Sequence, residues 1–183
     1  PAAVTLAAAE PAFAAAMARE LHSPRLRIYS SDDVTGVEVG GAVKNVIAIA
    51  AGVSDGLGFG ESARAALITR GLAEITRLGV ALGGEPATLA GLAGLGDLVL
   101  TSTGTLSRNR ALGMALARGE SREGARQATR MVAEGVPTTT AALALGARYG
   151  VELPIATQMA EVLAGRSDVR TAVEALMLRR QRA

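Results

Sequence analysis

The chain has 183 residues, and its 19 basic and 17 acidic side chains give a formal net charge of only +2. That length suits one domain, or one domain with part of another, and the balanced charge argues against a nucleic-acid-binding surface. The absence of cysteine excludes disulfides, and the single histidine disfavours a zinc site. Aromatic residues make up 2% of the chain, so the core must be built from small and aliphatic side chains, which favours close-packed helices.

The first 33 residues predict a strand, a helix and a second strand. Pro11 suits the first turn of a helix, and Leu26 and Ile28 alternate with polar neighbours as in a strand. Such a unit is typical of the end of an α/β domain and is too short to form a stable sheet by itself. The predicted strands are 2–8 and 25–30, and the predicted helix is 11–21.

From residue 34 onwards the pattern predicts helices only. Ser107 can cap a helix that Gly119 ends, and Pro137 and Gly150 bracket another one. The predicted fold is therefore mainly α, with a domain boundary near residue 34. The predicted helices are 34–52, 60–83, 86–93, 107–118, 121–128, 138–149, 153–165 and 168–180.

Membrane insertion is not expected from the sequence. No apolar run reaches the roughly 20 residues that a membrane span needs, and the N-terminal segment lacks the pattern of a signal peptide. Because the chain does not begin with Met, we expect it to come from the middle of a longer protein.

Lys44 is the only lysine in a chain that otherwise uses 18 arginines. It lies in the run GVEVGGAVKNVIAIAAG (36–52), whose apolar residues surround the helix almost completely, as in a central helix. Lysine can lose its proton when desolvated whereas arginine cannot, so Lys44 is a candidate for proton transfer. Alternatively, its stem packs in the core while its amine reaches solvent. Gly40 and Gly41 indicate that a neighbouring helix or a ligand approaches the backbone there.

The glycine-rich segment GLAGLGDL (91–98) places Asp97 between apolar residues. The segment is either a glycine-rich turn whose Asp97 caps the next segment of the chain, or the source of a carboxylate near Lys44 that tunes its charge or binds a substrate hydroxyl. GLAGLG is a weak match to a dinucleotide-binding fingerprint, because no predicted strand precedes it.

The segment TSTGTLSRNR (101–110) predicts a hydroxyl-rich loop that runs into a helix start. The N–H groups of the first turn, the Ser107 hydroxyl and an arginine fork together suit a phosphate group. Basic residues at this end oppose the helix dipole and are disfavoured unless an anion joins them. The alternative is an ordinary surface helix that Ser107 caps.

Glu134 lies in a Gly/Pro turn within MVAEGVPT (131–138). It could accept hydrogen bonds from a sugar or simply end a helix, and the local sequence favours the second interpretation.

Four motifs in this order, GGAVKN, GLGDL, SRNR and EGVPT, resemble those of the bacterial NAD(P)-dependent glycerol-3-phosphate dehydrogenases, over about residues 2–165. That family joins an N-terminal Rossmann domain to an all-helical substrate domain of the 6-phosphogluconate dehydrogenase C-terminal type. The resemblance implies that residues 1–33 end the Rossmann domain and that residues 34–183 form the substrate domain. The family's glycine-rich pyrophosphate loop has no counterpart here, so we expect a fragment of a longer enzyme.

The same resemblance implies a role for individual residues. Lys44 would be the proton acceptor, and NAD or NADP would be the cofactor, without a metal. Asn45 and Thr101 are weaker matches, from more distant relatives. The residues that match substrate contacts are Lys44, Asp97, Ser107, Arg108 and Asn109, and those that match cofactor contacts are Arg108, Val132 and Glu134.

The implied activity is the reversible oxidation of sn-glycerol 3-phosphate to dihydroxyacetone phosphate, in the cytoplasm and for phospholipid synthesis. A homodimer is compatible with the sequence. One alternative is a non-catalytic helical dimerisation module, which predicts that Lys44, Asp97 and Arg108 scatter over separate surfaces. Another is a related two-domain dehydrogenase that acts on a 6-phosphogluconate-like hydroxy acid.

Overall fold

A strand–helix–strand unit opens the chain, as the sequence predicts. The computed structural model describes residues 1–120, 124 and 133–178. Strand β1 (Ala2–Ala7) and strand β2 (Leu26–Ser31) are parallel, and helix α1 (Pro11–Leu21) connects them. Ala14 and Ala18 are the buried residues of α1.

Helices follow from Val34 onwards, which confirms the mainly α prediction. A π-helical turn (Leu92–Gly96) joins the fourth helix to the fifth. The helices are α2 (Val34–Gly56), α3 (Gly60–Ala81), α4 (Pro86–Ala90), α5 (Asp97–Thr103), α6 (Arg108–Ala117), α7 (Gly135–Tyr149), α8 (Pro154–Leu163) and α9 (Val169–Met177).

Of the two interpretations of the segment around Asp97, the glycine-rich turn is not found, because the π-helical turn leads directly into α5. The predicted hydroxyl-rich loop is also shorter than expected, since Thr101 to Thr103 form the end of α5. Helix α7 begins at Gly135 rather than at residue 138, and Pro137 lies in its first turn, where the missing N–H costs nothing. The predicted helix 121–128 falls almost wholly outside the described residues.

Helix α2 forms the centre of the helical part of the chain. Every residue from 45 to 54 is buried, and the helix packs against α3, α5, α6, α7 and α8. Within the described residues, α2 alone is long and apolar enough to cross a membrane, yet 67% of its most apolar window is buried inside the protein. Burial against so many neighbours identifies α2 as a core helix.

Asp33 joins the start of α2 to the start of α4. Its carboxylate accepts a hydrogen bond of 2.7 Å from Gly36 N and another of 2.8 Å from Glu85 N. Burial alone would raise the pKa of Asp33, but the hydrogen bonds from Glu85, Gly36 and the Thr88 side chain together hold this pKa below its ordinary value. The carboxylate therefore stabilises the fold in its charged form.

We predict that Asp33→Ala lowers the free energy of unfolding by about 2 kcal/mol at neutral pH. Because the pKa of Asp33 is lower in the folded state than the roughly 3.9 of an unfolded chain, this contribution exists above about pH 4 and disappears as the pH falls further. Denaturant unfolding at about pH 7 and pH 3 measures the difference. Asp32→Ala, at the exposed neighbouring position, is the matched control. An equal loss at both pH values would contradict the prediction.

Candidate active site

Lys44 on α2 and Asp97 on α5 form an ion pair. Their side chains are 18% and 34% exposed, so the pair is partly desolvated but can still be reached. Thr101, one turn further along α5, donates a hydrogen bond of 3.4 Å to the other oxygen of the Asp97 carboxylate. The structure thus brings together two residues that are 53 positions apart, and Asp97 contacts Lys44 instead of capping a helix.

Gly40 and Gly41, which precede Lys44, have different surroundings. A Cβ atom at Gly40 would lie 3.0 Å from the carbonyl oxygen of Ala93 in the π-helical turn, so the close approach of this turn favours glycine there. A Cβ atom at Gly41 would meet nothing within 4 Å. Of the two explanations that the sequence left open, a neighbouring helix applies to Gly40, and space for a ligand stays available at Gly41.

Asn45 connects α2 to the start of α6. Its side-chain oxygen accepts a hydrogen bond of 2.9 Å from Asn109 Nδ2, and the oxygen of Asn109 accepts one of 2.9 Å from Gly135 N. Both asparagines are buried, at 8% and 6% exposure. This row of amides joins α2, α6 and α7, and it places Arg108 close to the helix that carries Lys44.

Two arginines at the start of α6 are paired with carboxylates of the protein. Arg108 Nη2 lies 3.1 Å from Glu134 Oε1, with side chains 40% and 63% exposed. Arg110 donates from Nε and Nη2 to Asp55 Oδ2, at 2.8 and 2.7 Å. The sequence predicted that these cations need an anion, and the folded chain supplies one to each.

Ser107 caps α6, as the sequence predicts. Its hydroxyl oxygen accepts a hydrogen bond of 3.2 Å from Arg110 N. A hydroxyl that accepts in this way still has its own O–H to donate, so the cap does not prevent Ser107 from contacting a ligand.

The structure brings some of the predicted site residues together. Lys44 and Asp97 are in direct contact, and Asn109 bonds to the neighbour of Lys44. Val132 lies outside the described residues. The described part of the chain holds no group of three or more His, Cys, Asp or Glu side chains that could bind a metal ion.

The described chain is a parallel strand–helix–strand unit followed by a bundle of helices around the central helix α2. A family model described as the C-terminus of NAD-dependent glycerol-3-phosphate dehydrogenase matches residues 33–174. The chain belongs to this family.

Curated relatives match almost the whole chain. It is 59% identical over 179 residues to the glycerol-3-phosphate dehydrogenase (NAD(P)+) of Dechloromonas aromatica, covering 98% of the chain and 54% of that protein. Identity to the enzyme of the same name from Aromatoleum aromaticum is 56% over 183 residues, covering 100% of the chain and 56% of that protein. The chain thus spans about half the length of the curated relatives it matches.

A solved structure agrees with this assignment. The crystal structure of glycerol-3-phosphate dehydrogenase from Coxiella burnetii superposes with a TM-score of 0.94 at 46% sequence identity. The match covers 98% of this chain and 55% of the Coxiella chain.

We predict that Asn109→Ala lowers the free energy of unfolding by about 2 kcal/mol, because it leaves Asn45 and Gly135 N without their buried partner. Thr138→Ala is the control, since it removes only an exposed hydroxyl bond to the carbonyl of Glu134, directly before α7, and should change stability by at most about 0.5 kcal/mol. Denaturant unfolding of the purified protein measures both. Equal values for the two variants would contradict the role given to the amide row.

Proposed function

We propose that the protein containing this chain catalyses the reversible oxidation of sn-glycerol 3-phosphate to dihydroxyacetone phosphate, with NAD or NADP as cofactor. The observation that carries the proposal is the Lys44–Asp97 ion pair, joined through Asn45 and Asn109 to the helix start that bears Arg108. The names of relatives that match along nearly the whole chain support the same reaction.

The proposal assigns residues 1–33 to the end of a Rossmann domain and residues 34–183 to the substrate domain. Nicotinamide cofactors present ribose hydroxyls and phosphates, which carboxylates and guanidinium groups bind well. Arg108 and Glu134 carry these two groups side by side near the chain surface, so they fit a cofactor contact, and we add Val132 to it. When bound, the cofactor supplies the acceptor for the hydride that leaves C2.

Lys44 exchanges the proton of the C2 oxygen. As an ammonium group it donates this proton to the ketone of dihydroxyacetone phosphate, and as a neutral amine it accepts the proton from glycerol 3-phosphate. The carboxylate of Asp97 pairs with Lys44 and fixes the position of Nζ. Thr101 bonds to the second carboxylate oxygen and restrains Asp97 in turn.

The start of α6 is the proposed phosphate site. The Arg108–Glu134 pair is exposed, and such pairs contribute only about 0–1 kcal/mol, so a doubly charged phosphate can replace the carboxylate of Glu134. Ser107 offers its hydroxyl, and the first turn of the helix offers backbone N–H groups. Asn109 has a second amide N–H beyond the one it donates to Asn45, which suits a substrate oxygen between the phosphate and Lys44.

The biological setting belongs to the same proposal. We place the enzyme in the cytoplasm, as a homodimer that supplies glycerol 3-phosphate for phospholipid synthesis. Sedimentation of the intact protein tests the homodimer.

We expect Lys44→Arg to reduce kcat by about 10²- to 10⁴-fold in the intact protein, because arginine keeps the charge but cannot exchange the proton. Reduction of dihydroxyacetone phosphate, followed by cofactor oxidation, measures this. Arg70→Lys, a conservative exchange at an exposed position of α3, should leave kcat unchanged. A Lys44→Arg variant with a tenth or more of the wild-type kcat would rule out Lys44 as the proton-transfer residue.

Arg108→Ala should raise the KM for dihydroxyacetone phosphate by about 10²-fold, through the loss of charge-assisted hydrogen bonds to the phosphate. With the cofactor saturating, the same variant should change kcat/KM for unphosphorylated dihydroxyacetone by less than about threefold, since that substrate has no phosphate to lose. Steady-state kinetics with both substrates separates the two cases. Equal losses for both substrates would argue against a phosphate role for Arg108.

A further inference from the structure

Asp55 forms a partly buried charge cluster with two arginines, away from the Lys44–Asp97 pair. Its side chain is only 9% exposed. One carboxylate oxygen accepts from Arg110 Nε and Nη2, at 2.8 and 2.7 Å, and the other accepts from Arg64 Nη1 at 3.0 Å. The cluster therefore joins the end of α2 to α6 through Arg110 and to α3 through Arg64.

Neither α2 nor α6 gains from these charges as an isolated helix. Asp55 lies in the last turn of α2, where the helix dipole disfavours a negative charge, and burial adds a desolvation cost. Arg110 lies in the first turn of α6, where the dipole disfavours a positive charge. Each charge offsets the unfavourable position of the other, so the ion pair fixes the packing of α6 against α2.

The backbone of Arg110 also packs closely against α2. Its N–H binds the Ser107 cap, and its carbonyl oxygen occupies the space that a Cβ atom at Gly52 of α2 would need. The residue thus contacts α2 through both its backbone and its side chain. Arg108 and Asn109 directly precede it in the same turn, so a rotation of this turn would move both of them.

We propose that Arg110, held by Asp55, is a positioning residue. It fixes the first turn of α6 so that Arg108 and Asn109 can contact the phosphate end of the substrate. The inference rests on the proposed function, because it gives Arg110 an effect on substrate binding that operates through Arg108. Arg64 holds the same carboxylate from α3, which carries none of the proposed site residues, and it therefore offers a matched comparison.

The test is steady-state kinetics of the intact protein with dihydroxyacetone phosphate, together with thermal unfolding. Arg110→Gln should raise KM about tenfold, since coupling between contacting residues corresponds to factors of this order, and kcat should stay within about threefold because Lys44 is held by Asp97. Arg64→Gln should lower the unfolding temperature without changing KM. Arg110→Lys keeps the charge and should recover part of the KM, and it replaces Arg110→Gln if that variant does not fold.

A double-mutant cycle with Arg108→Ala shows whether Arg110 acts through Arg108. Adding Arg110→Gln to Arg108→Ala should raise KM by less than about twofold, because the residue being positioned is already gone. Three outcomes would each overturn the positioning role. They are a KM increase in the double variant equal to the product of the two single increases, an unchanged KM in Arg110→Gln, and an equal KM increase in Arg64→Gln. An unchanged KM in Arg108→Ala alone would overturn the phosphate role in the proposed function, and with it this inference, whereas the first three outcomes leave the proposed function intact.

Discussion

A helix buried on almost every side can carry polar side chains only if the neighbouring helices bond each of them. Helix α2 meets this constraint at three places. Lys44 pairs with Asp97 of α5, Asn45 bonds to Asn109 of α6, and Asp55 binds arginines of α3 and α6. The surrounding helices are therefore placed around α2 by specific polar bonds as well as by apolar packing. The candidate site follows from this arrangement, because the same bonds that satisfy α2 bring its partners together.

The two arginines at the start of α6 differ in the exposure of the carboxylate that each one meets. Asp55 is nearly buried, and its removal would leave an uncompensated charge inside the protein. Glu134 is 63% exposed, and water and salt screen its attraction for Arg108. The first pair is a permanent connection between helices, and the second can be exchanged for another anion at little cost. The start of α6 thus carries one ion pair that holds the fold and one whose carboxylate a ligand can replace.

Much of the fold could be predicted from the sequence because its signals are local. Capping by Ser107, the glycine after α7 and the apolar circumference of α2 each depend on residues close in sequence. The helix at Asp97 was missed because glycines normally indicate a turn, whereas here Gly94 packs tightly against the backbone of Leu89. Local pattern reasoning has no means of anticipating such a contact.

Ion pairs between residues far apart in the sequence also could not be predicted. The sequence around Arg110 indicates only a phosphate site, and nothing in the local pattern indicates a partner 55 positions earlier. The same holds for Glu74 of α3, which is buried and accepts a hydrogen bond of 2.6 Å from Ile155 N in the first turn of α8. The residue types indicate which charged and polar groups the chain carries, but only the fold determines which of these groups come into contact.

Lys44 has a further consequence for chemical labelling. It is the only side-chain amine among 183 residues, and its nitrogen is paired with a carboxylate at a partly accessible position. A reagent that acylates or forms imines with amines would find a single side-chain target in this chain, beside Asp97. Eighteen arginines supply the remaining positive charge without offering such a reagent another target. The sequence thus already provides a site-selective chemical handle, for which most proteins would need every other lysine replaced.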